Sequence, residues 1–355
     1  MVTRPKHGGN LVWAAKIAGC PTSSIIDFSA SINPLGIPQT VQKAIAKDIP
    51  RLTAYPNPDY SELRYCLAKE CNVDAEYILP GNGSAELLTW AARDLARQRE
   101  TLLITPAFGD YRRALKAFDV EMNTVTGKLP FADLDSLIPS QVAANSGLLL
   151  NNPHNPTGKL WQKAEIVPYL CKFAMVIIDE AFMDFLLPHQ QQSLIDLVLD
   201  FPNLVILRSL TKFYSIPGLR IGYAVTHPQR IERWQQYRDP WSVNSLAATA
   251  AITAIKDRKF QQATWDWLAP AKEELLQGFS EIPGFKPLPS AVNFLLVKSK
   301  MSVTLLQEKL LQQHKILIRD CLSFPQLGDR YFRVAVRTSQ ENQLLLQAIK
   351  RYRFA

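Results

Sequence analysis

The chain has 355 residues, of which 47% are hydrophobic and 20% charged, with a formal net charge of +8. That is enough apolar material for a large core and more than one domain; no stretch approaches the roughly 20 apolar residues of a membrane span, and the polar start MVTRPKHGGN lacks the apolar core of a signal peptide. The five cysteines, odd in number and without a C-x-x-C pair, argue against a disulfide framework or a metal site and fit a cytoplasmic location, while the scattered lysines and arginines suit anionic small molecules better than nucleic acid.

Taken in chain order, residues 1–39 are rich in Gly, Pro, Ser and Asn and read as an irregular arm packing on a second domain. The turn GNGSAELL (81–88) opens a helix expected over 84–98, where Leu88, Ala91, Ala92 and Leu95 recur at three- and four-residue spacing, with Ser84 as its cap. The runs LLIT (102–105), LLLN (148–151), MVIID (175–179), LVILRS (204–209) and IGYAV (221–225) read as short buried strands. Their alternation with helical stretches predicts an α/β fold with a mostly parallel central sheet. After about residue 240 the texture changes: WSVNSLAATAAITAI begins a long helical region, and PGFKPLPSAVNFLLVK and YFRVAVR read as alternating strands. The expectation is a large domain over 40–240, and a smaller α+β domain formed by 1–39 with 241–355.

Four polar clusters fall at the ends of the apolar strands, where ligands bind in open α/β sheets. The glycines of GNGSAELL let backbone approach a ligand, and the helix start beyond them suits a phosphate, although an ordinary capped turn has the same appearance. NNPHNPTG (151–158) is either a rigid proline-rich connection or a turn presenting Asn side chains to a cleft. VIIDEAFMDF (176–185) ends a strand on Asp179 and Glu180, a costly place for carboxylates unless they are paired, whether by an ion pair, a helix cap or a protonated ring nitrogen. In RSLTKFYSIPGLRIGY (208–223), Ser209, Thr211 and Arg220 surround Lys212, hydroxyls and a guanidinium fit to hold phosphate beside an amine that can condense with an aldehyde.

Together these four strings resemble the fold-type I pyridoxal-phosphate (PLP) aminotransferase superfamily, in its histidinol-phosphate aminotransferase-like branch, in order and over essentially the whole chain. The resemblance implies that Lys212 forms a Schiff base with the cofactor and that Asp179 pairs with its pyridine nitrogen. It also implies that Asn155 bonds the ring 3-oxygen, that Phe108 in TPAFGDY stacks on the ring, and that Gly83, Ser84, Ser209 and Arg220 hold its phosphate. Tyr55 in TAYPNPDY is implied to cross a homodimer interface to the partner's cofactor, and Arg337 in FRVAVR to bind the substrate carboxylate. One residue departs from the branch: Phe182 stands where its aminotransferases usually carry a tyrosine that donates to the 3-oxygen.

HGGN (7–10), DFSASINPLG (27–36), ILIRDCLSFPQL (316–327) and DEAFMDF are similar to a narrower family, the threonine-phosphate decarboxylases of cobalamin biosynthesis. That resemblance implies a phosphorylated amino acid as substrate, with Arg337 on its carboxylate, Arg319 on its phosphate, and His7 and Asn33 adding donors. The plainer readings are a terminal histidine without function and an Arg319–Asp320 surface ion pair. The nearest alternative is histidinol-phosphate aminotransferase; a PLP-dependent regulator is a further one, for which the sequence offers no DNA-binding segment.

Overall fold

The structure, a computed structural model, describes residues 4–5 and 7–352. Its strands are β1 (Ile26–Asp27), β2 (Ile78–Asn82), β3 (Thr101–Thr105), β4 (Met122–Thr126), β5 (Gly147–Asn151), β6 (Met175–Asp179), β7 (Leu204–Ser209), β8 (Ile221–Thr226), β9 (Phe285–Pro287), β10 (Phe294–Ser299), β11 (Ile316–Leu317), β12 (Arg319–Asp320) and β13 (Tyr331–Ala335). Seven of them form one sheet in the order β2-β8-β7-β6-β5-β3-β4. Within it β3, β4, β5, β6 and β7 run parallel, and β8 is antiparallel to both its neighbours. Helices cover both faces of such a sheet, so its strands are apolar at successive positions and not at alternate ones. All five residues of GLLLN and of MVIID are accordingly buried, and each expected strand of the central region is present.

The antiparallel strand decides where the site forms. β8 starts at the edge where the parallel strands end: Ile221 pairs with Asn82, and Gly222 with Ser209. Arg220, one residue before β8, is thereby delivered to the carboxyl edge together with the ends of β2 and β7.

The C-terminal strands form a four-stranded antiparallel sheet, β12-β13-β10-β9. The 23-residue helix Arg258–Ser280 and the helix Ser339–Lys350 pack together beside it. The helix Ser245–Lys256, capped by Asn244, whose side chain accepts from the Ala247 N–H, lies against the helices Gln39–Asp48 and Ser61–Cys71.

Two expectations need correction. The N-terminal segment is not wholly irregular: Leu11–Ala18 is a helix capped by Asn10 and packed on the helix Val303–His314, and β1 pairs in parallel with β11 through Ile26 and Ile316. A short apolar run, LVWAAKIA, closed by a left-handed Gly19 was its signal. Ser84 is the first helical residue rather than a cap; the helix runs Ser84–Leu95, and the Glu86 carboxylate reaches back to accept from the Asn82 N–H at 2.7 Å.

Candidate active site

A cavity of about 450 Å³ opens at the carboxyl edge of the seven-stranded sheet, and the small sheet and the N-terminal segment close its far side. Asn151 and Asp179 end neighbouring parallel strands in register, and both face the cavity. The Asn151 amide donates to the Asp179 carbonyl at 2.7 Å and its oxygen accepts from the Asn155 N–H at 2.6 Å. This fixes the NNPHN turn and aims Asn155 inward, while Asn152 turns away to bond the backbone of Trp161 at both ends of its amide.

The two acids of the D-E pair separate. Asp179 faces the cavity, its Oδ2 accepting from the Tyr111 hydroxyl at 2.7 Å and its Oδ1 from the Ala181 N–H at 2.9 Å. Burial pushes its carboxyl above the usual range, against the pull of Lys212. Glu180 faces the other way, onto the buried Arg208 at 3.0 Å, with Ser193 and the Leu194 N–H completing its shell. Arg208 also binds Asp184. This paired cluster anchors the segment after β6, and a buried charge is tolerated only with such partners.

Lys212 lies in the four-residue helix Leu210–Phe213 that follows β7. Its Nζ stands 4.9 Å from the centre of the Phe182 ring. Burial pulls its ammonium down to about 8; Asp179 opposes that, and the cations Arg333 and Arg220 add to it. A lysine near 8 has a neutral, nucleophilic amine within the physiological range.

Ser84, at the start of a 12-residue helix, and Arg220 form another wall. Gly83 has φ of +73°, and a Cβ there would stand 2.3 Å from a guanidinium nitrogen of Arg220. Only glycine allows that arginine to lie across the turn. The cavity thus brings together a helix start, a guanidinium, a buried amine and a buried carboxylate. Ser31 also lines it, with a buried Oγ that has no hydrogen-bond partner among the described residues. This donor set fits PLP: Ser84, Gly83 and Arg220 match its phosphate, Lys212 its aldehyde, and Asp179 its ring nitrogen. Asn155 uses its amide oxygen on Arg333, which leaves its amide nitrogen to donate to the ring oxygen.

Of the other expected residues, His7, Phe108 and Arg319 line the cavity, with the rings of His7 and Phe108 6.1 Å apart. Ser209 is buried at the strand end, and its hydroxyl pairs with that of Thr211 at 2.8 Å; it is not among the cavity walls. Tyr55 lies elsewhere, 79% exposed and stacked on Trp241 with ring centres 4.6 Å apart.

Two assignments are corrected. Arg337 is not in the wall: its guanidinium donates to Glu341 at 2.7 Å and to the Asp27 carbonyl at 3.0 Å. Arg333 is in the wall instead, with its guanidinium 4.9 Å from the Phe294 ring centre. Burial, and next the nearby Arg319, push it down to about 10. Asn33 is 2% exposed, and its amide is spent on the Phe213 carbonyl and the Thr264 hydroxyl, both at 2.8 Å. Its backbone N–H donates to the Lys212 carbonyl at 3.0 Å, so it braces the lysine segment from behind. Sequence reasoning also missed Tyr111, although it lies three residues beyond Phe108, one turn along the helix Gly109–Lys116.

Arg319 is 6% exposed and donates to Ser323 at 2.6 Å, with Asp320 3.8 Å away. Lys212, Arg220, Arg319 and Arg333 therefore face one carboxylate, Asp179, across the cavity. Such a surplus of cations suits a cofactor and substrate that both carry anionic groups.

The family model described as aminotransferase class I and II matches residues 23–349. The threonine-phosphate decarboxylase of Salmonella typhimurium is 38% identical over 97% of this chain and 95% of its own. The histidinol-phosphate aminotransferase 1 of Mannheimia succiniciproducens is 29% identical over 92% of this chain and 89% of its own. Among solved structures, the L-threonine-O-3-phosphate decarboxylase of Porphyromonas gingivalis superposes with a TM-score of 0.82 at 26% identity, covering 91% of this chain and 98% of its own. The histidinol-phosphate aminotransferase of Clostridium acetobutylicum gives 0.85 at 26%, covering 91% and 97%. The chain belongs to the aminotransferase class I and II family, with the fold-type I architecture, and is a pyridoxal-phosphate enzyme.

Proposed function

We propose that the chain decarboxylates L-threonine O-3-phosphate to (R)-1-amino-2-propanol O-2-phosphate, the linker used in cobalamin biosynthesis. The observation that carries the reading is the pair Arg319 and Arg333, both reaching one cavity from the small antiparallel sheet on the side facing Lys212. An amino acid bearing a second anionic group needs two such cations, and a guanidinium binds carboxylate or phosphate through paired N–H donors. The Salmonella relative, a threonine-phosphate decarboxylase, agrees with it.

When bound, PLP withdraws electrons from the substrate Cα, so that the protein's grip on the Cα substituents decides which bond breaks. Arg333, beside Asn155 and above the Phe294 ring, is assigned to the carboxylate. Arg319, with Ser323 and His7 at the mouth, is assigned to the phosphate. Held at both ends by Arg333 and Arg319, the substrate would present its carboxylate, and not its Cα–H bond, as the group to be lost. The carboxylate leaves as carbon dioxide, and Lys212, whose ammonium is near the solution pH in acidity, returns one proton to the same carbon. Phe182, 4% exposed and packed edge-on against Phe294, offers no hydroxyl at this point of the wall. Its ring keeps the lysine amine dry.

The same reading divides the chain into a large domain over 40–240 and a small one from 1–39 with 241–355, although the helix Ser245–Lys256 packs on the helices Gln39–Asp48 and Ser61–Cys71 of the large one. It includes a cytoplasmic homodimer in which Tyr55 reaches the partner's cofactor. Its support is the exposed aromatic pair Tyr55 and Trp241, together with exposed Ile49 and Leu52 in the turn before it.

The second reading, histidinol-phosphate aminotransferase, is favoured by the superposition on the Clostridium structure. Purified holoenzyme given L-threonine O-3-phosphate is expected to release carbon dioxide and form the aminopropanol phosphate. Amino transfer from glutamate to imidazole-acetol phosphate, without any release of carbon dioxide, would make the second reading the right one.

A further inference from the structure

We propose that Tyr111 is a positioning residue that holds Asp179 ionised and correctly turned for the cofactor's ring nitrogen. The inference rests on the assignment of Asp179 to that nitrogen. Tyr111 is 2% exposed and sits in the first turn of the helix Gly109–Lys116. Its hydroxyl donates to Asp179 Oδ2 at 2.7 Å, and its ring meets Phe108 edge-on with centres 5.6 Å apart. One residue thus touches both the carboxylate assigned to the ring nitrogen and the aromatic side chain expected on the ring face.

The chemistry of the pair fixes the direction of the effect. A buried carboxylate keeps its charge only if donors or cations surround it. Around Asp179 these are the Tyr111 hydroxyl, the Ala181 N–H and Lys212; the like charge of Asp110, on Tyr111's own helix, acts against them. Lys212 cannot serve as a lasting counter-ion, because its amine is the group that exchanges partners during turnover. The Ala181 N–H is taken up by the other oxygen, Oδ1. Tyr111 is the neutral side-chain donor that stays in place throughout. Burial, then the neighbouring charges of Asp179 and Asp110, lift its own phenol well above the usual value, so it remains a donor over the whole working pH range. Without that hydroxyl, Asp179 takes up a proton at a higher pH, and a neutral carboxyl no longer favours a protonated ring nitrogen.

The test is a double-mutant cycle read on cofactor binding. Tyr111→Phe keeps the ring that packs on Phe108 and removes the hydroxyl alone. Cofactor Kd is measured by absorbance titration of apoprotein with PLP between pH 6 and 8, for the parent chain, Tyr111→Phe, Asp179→Asn and the double variant. Tyr111→Phe is expected to weaken binding about tenfold, the loss of one hydrogen bond to a charged group, more at pH 6 than at pH 8. In the Asp179→Asn background the second change is expected to add almost nothing, since its effect runs through the carboxylate. An unchanged Kd in Tyr111→Phe at both pH values, or losses that multiply in the double variant, overturns the inference. If Asp179→Asn itself binds PLP as tightly as the parent, the assignment of Asp179 to the ring nitrogen fails first.

Discussion

The two sides of the cavity are built on different principles. On the sheet side, Asn151 and Asp179 end strands buried on both faces and Lys212 lies in the short helix after a third, and their positions are set by parallel pairing and by backbone bonds such as Asn151 to the Asp179 carbonyl. On the other side, Arg319 and Arg333 come from adjacent antiparallel strands and are register partners of one another. The first wall is held by main chain and matches a cofactor common to many chemistries. The second wall consists of long side chains whose direction depends on the pairing of β12, β13 and β10, and it matches whatever substrate is to be selected. Common chemistry thus resides in the rigid wall and specificity in the adjustable one.

The sharpest way to break that comparison is to remove the amine that the two walls enclose. Lys212→Ala is expected to abolish both turnover and the visible absorbance of the bound cofactor, a loss of more than about a thousandfold. A visible band retained in the variant would falsify the assignment of Lys212. Next in size is the contrast between the two arginines of FRVAVR. Arg333→Ala leaves the cavity without the cation assigned to the substrate carboxylate and is expected to lower kcat/KM about a hundredfold or more. Arg337→Ala removes an ion pair to Glu341 and a bond to the Asp27 carbonyl, and is expected to change kcat/KM less than about fivefold. Steady-state rates of carbon dioxide release from L-threonine O-3-phosphate for the two variants decide it. The reverse order of effects would mean that Arg337 swings into the site and that the wall is not the one described.

The same contrast explains what could be read from the sequence. MVIID and LVILRS each open on four apolar residues in succession, as parallel strands covered on both faces require, and the polar residues after them fall at the sheet edge, where Asp179 and Lys212 line the cavity while Arg208 turns away to Glu180. Asp179, Lys212 and Asn155 were therefore legible by position as well as by resemblance. FRVAVR carries arginines four residues apart, and alternation alone places both on one face of a strand. The strand ends at Ala335, so Arg337 lies beyond it, just before the helix Ser339–Lys350, where Glu341, the capping-box partner of Thr338, captures the guanidinium. That ending depends on where β10 begins, at Phe294, which pairs with Ala335, and nothing local reveals it. Asn33 was misread for a similar reason: a polar residue in a loop rich in Ser and Asn has the same appearance whether it faces substrate or backbone. Here the Phe213 carbonyl and Thr264, far away in sequence, claim it. Tyr111 was passed over because a tyrosine on a helix normally packs, and its buried carboxylate partner arrives from β6, 68 positions along the chain.

The smallest predicted effect joins the two walls through one charge. Lys212 is pulled down to about 8, first by burial and further by Arg333 and Arg220, with Asp179 acting against them. The neutral amine is the form that attacks an aldehyde. Below pH 8 the rate at which apoprotein captures PLP should therefore rise about tenfold per pH unit, and above it the rate should level off. Arg333→Met keeps much of the apolar bulk and removes a cation that favours the neutral amine. The lysine then holds its proton more tightly, so the inflection of the capture profile is expected to move to higher pH, while the plateau rate changes little. Stopped-flow absorbance of capture from pH 6.5 to 10 measures both quantities. An inflection that stays at the same pH in Arg333→Met would show that the substrate-side wall does not act on the lysine electrostatically, and that burial among the sheet-side residues alone sets its acidity. The direction of the shift thus tests whether the cation chosen to hold the substrate also keeps the amine ready for the cofactor.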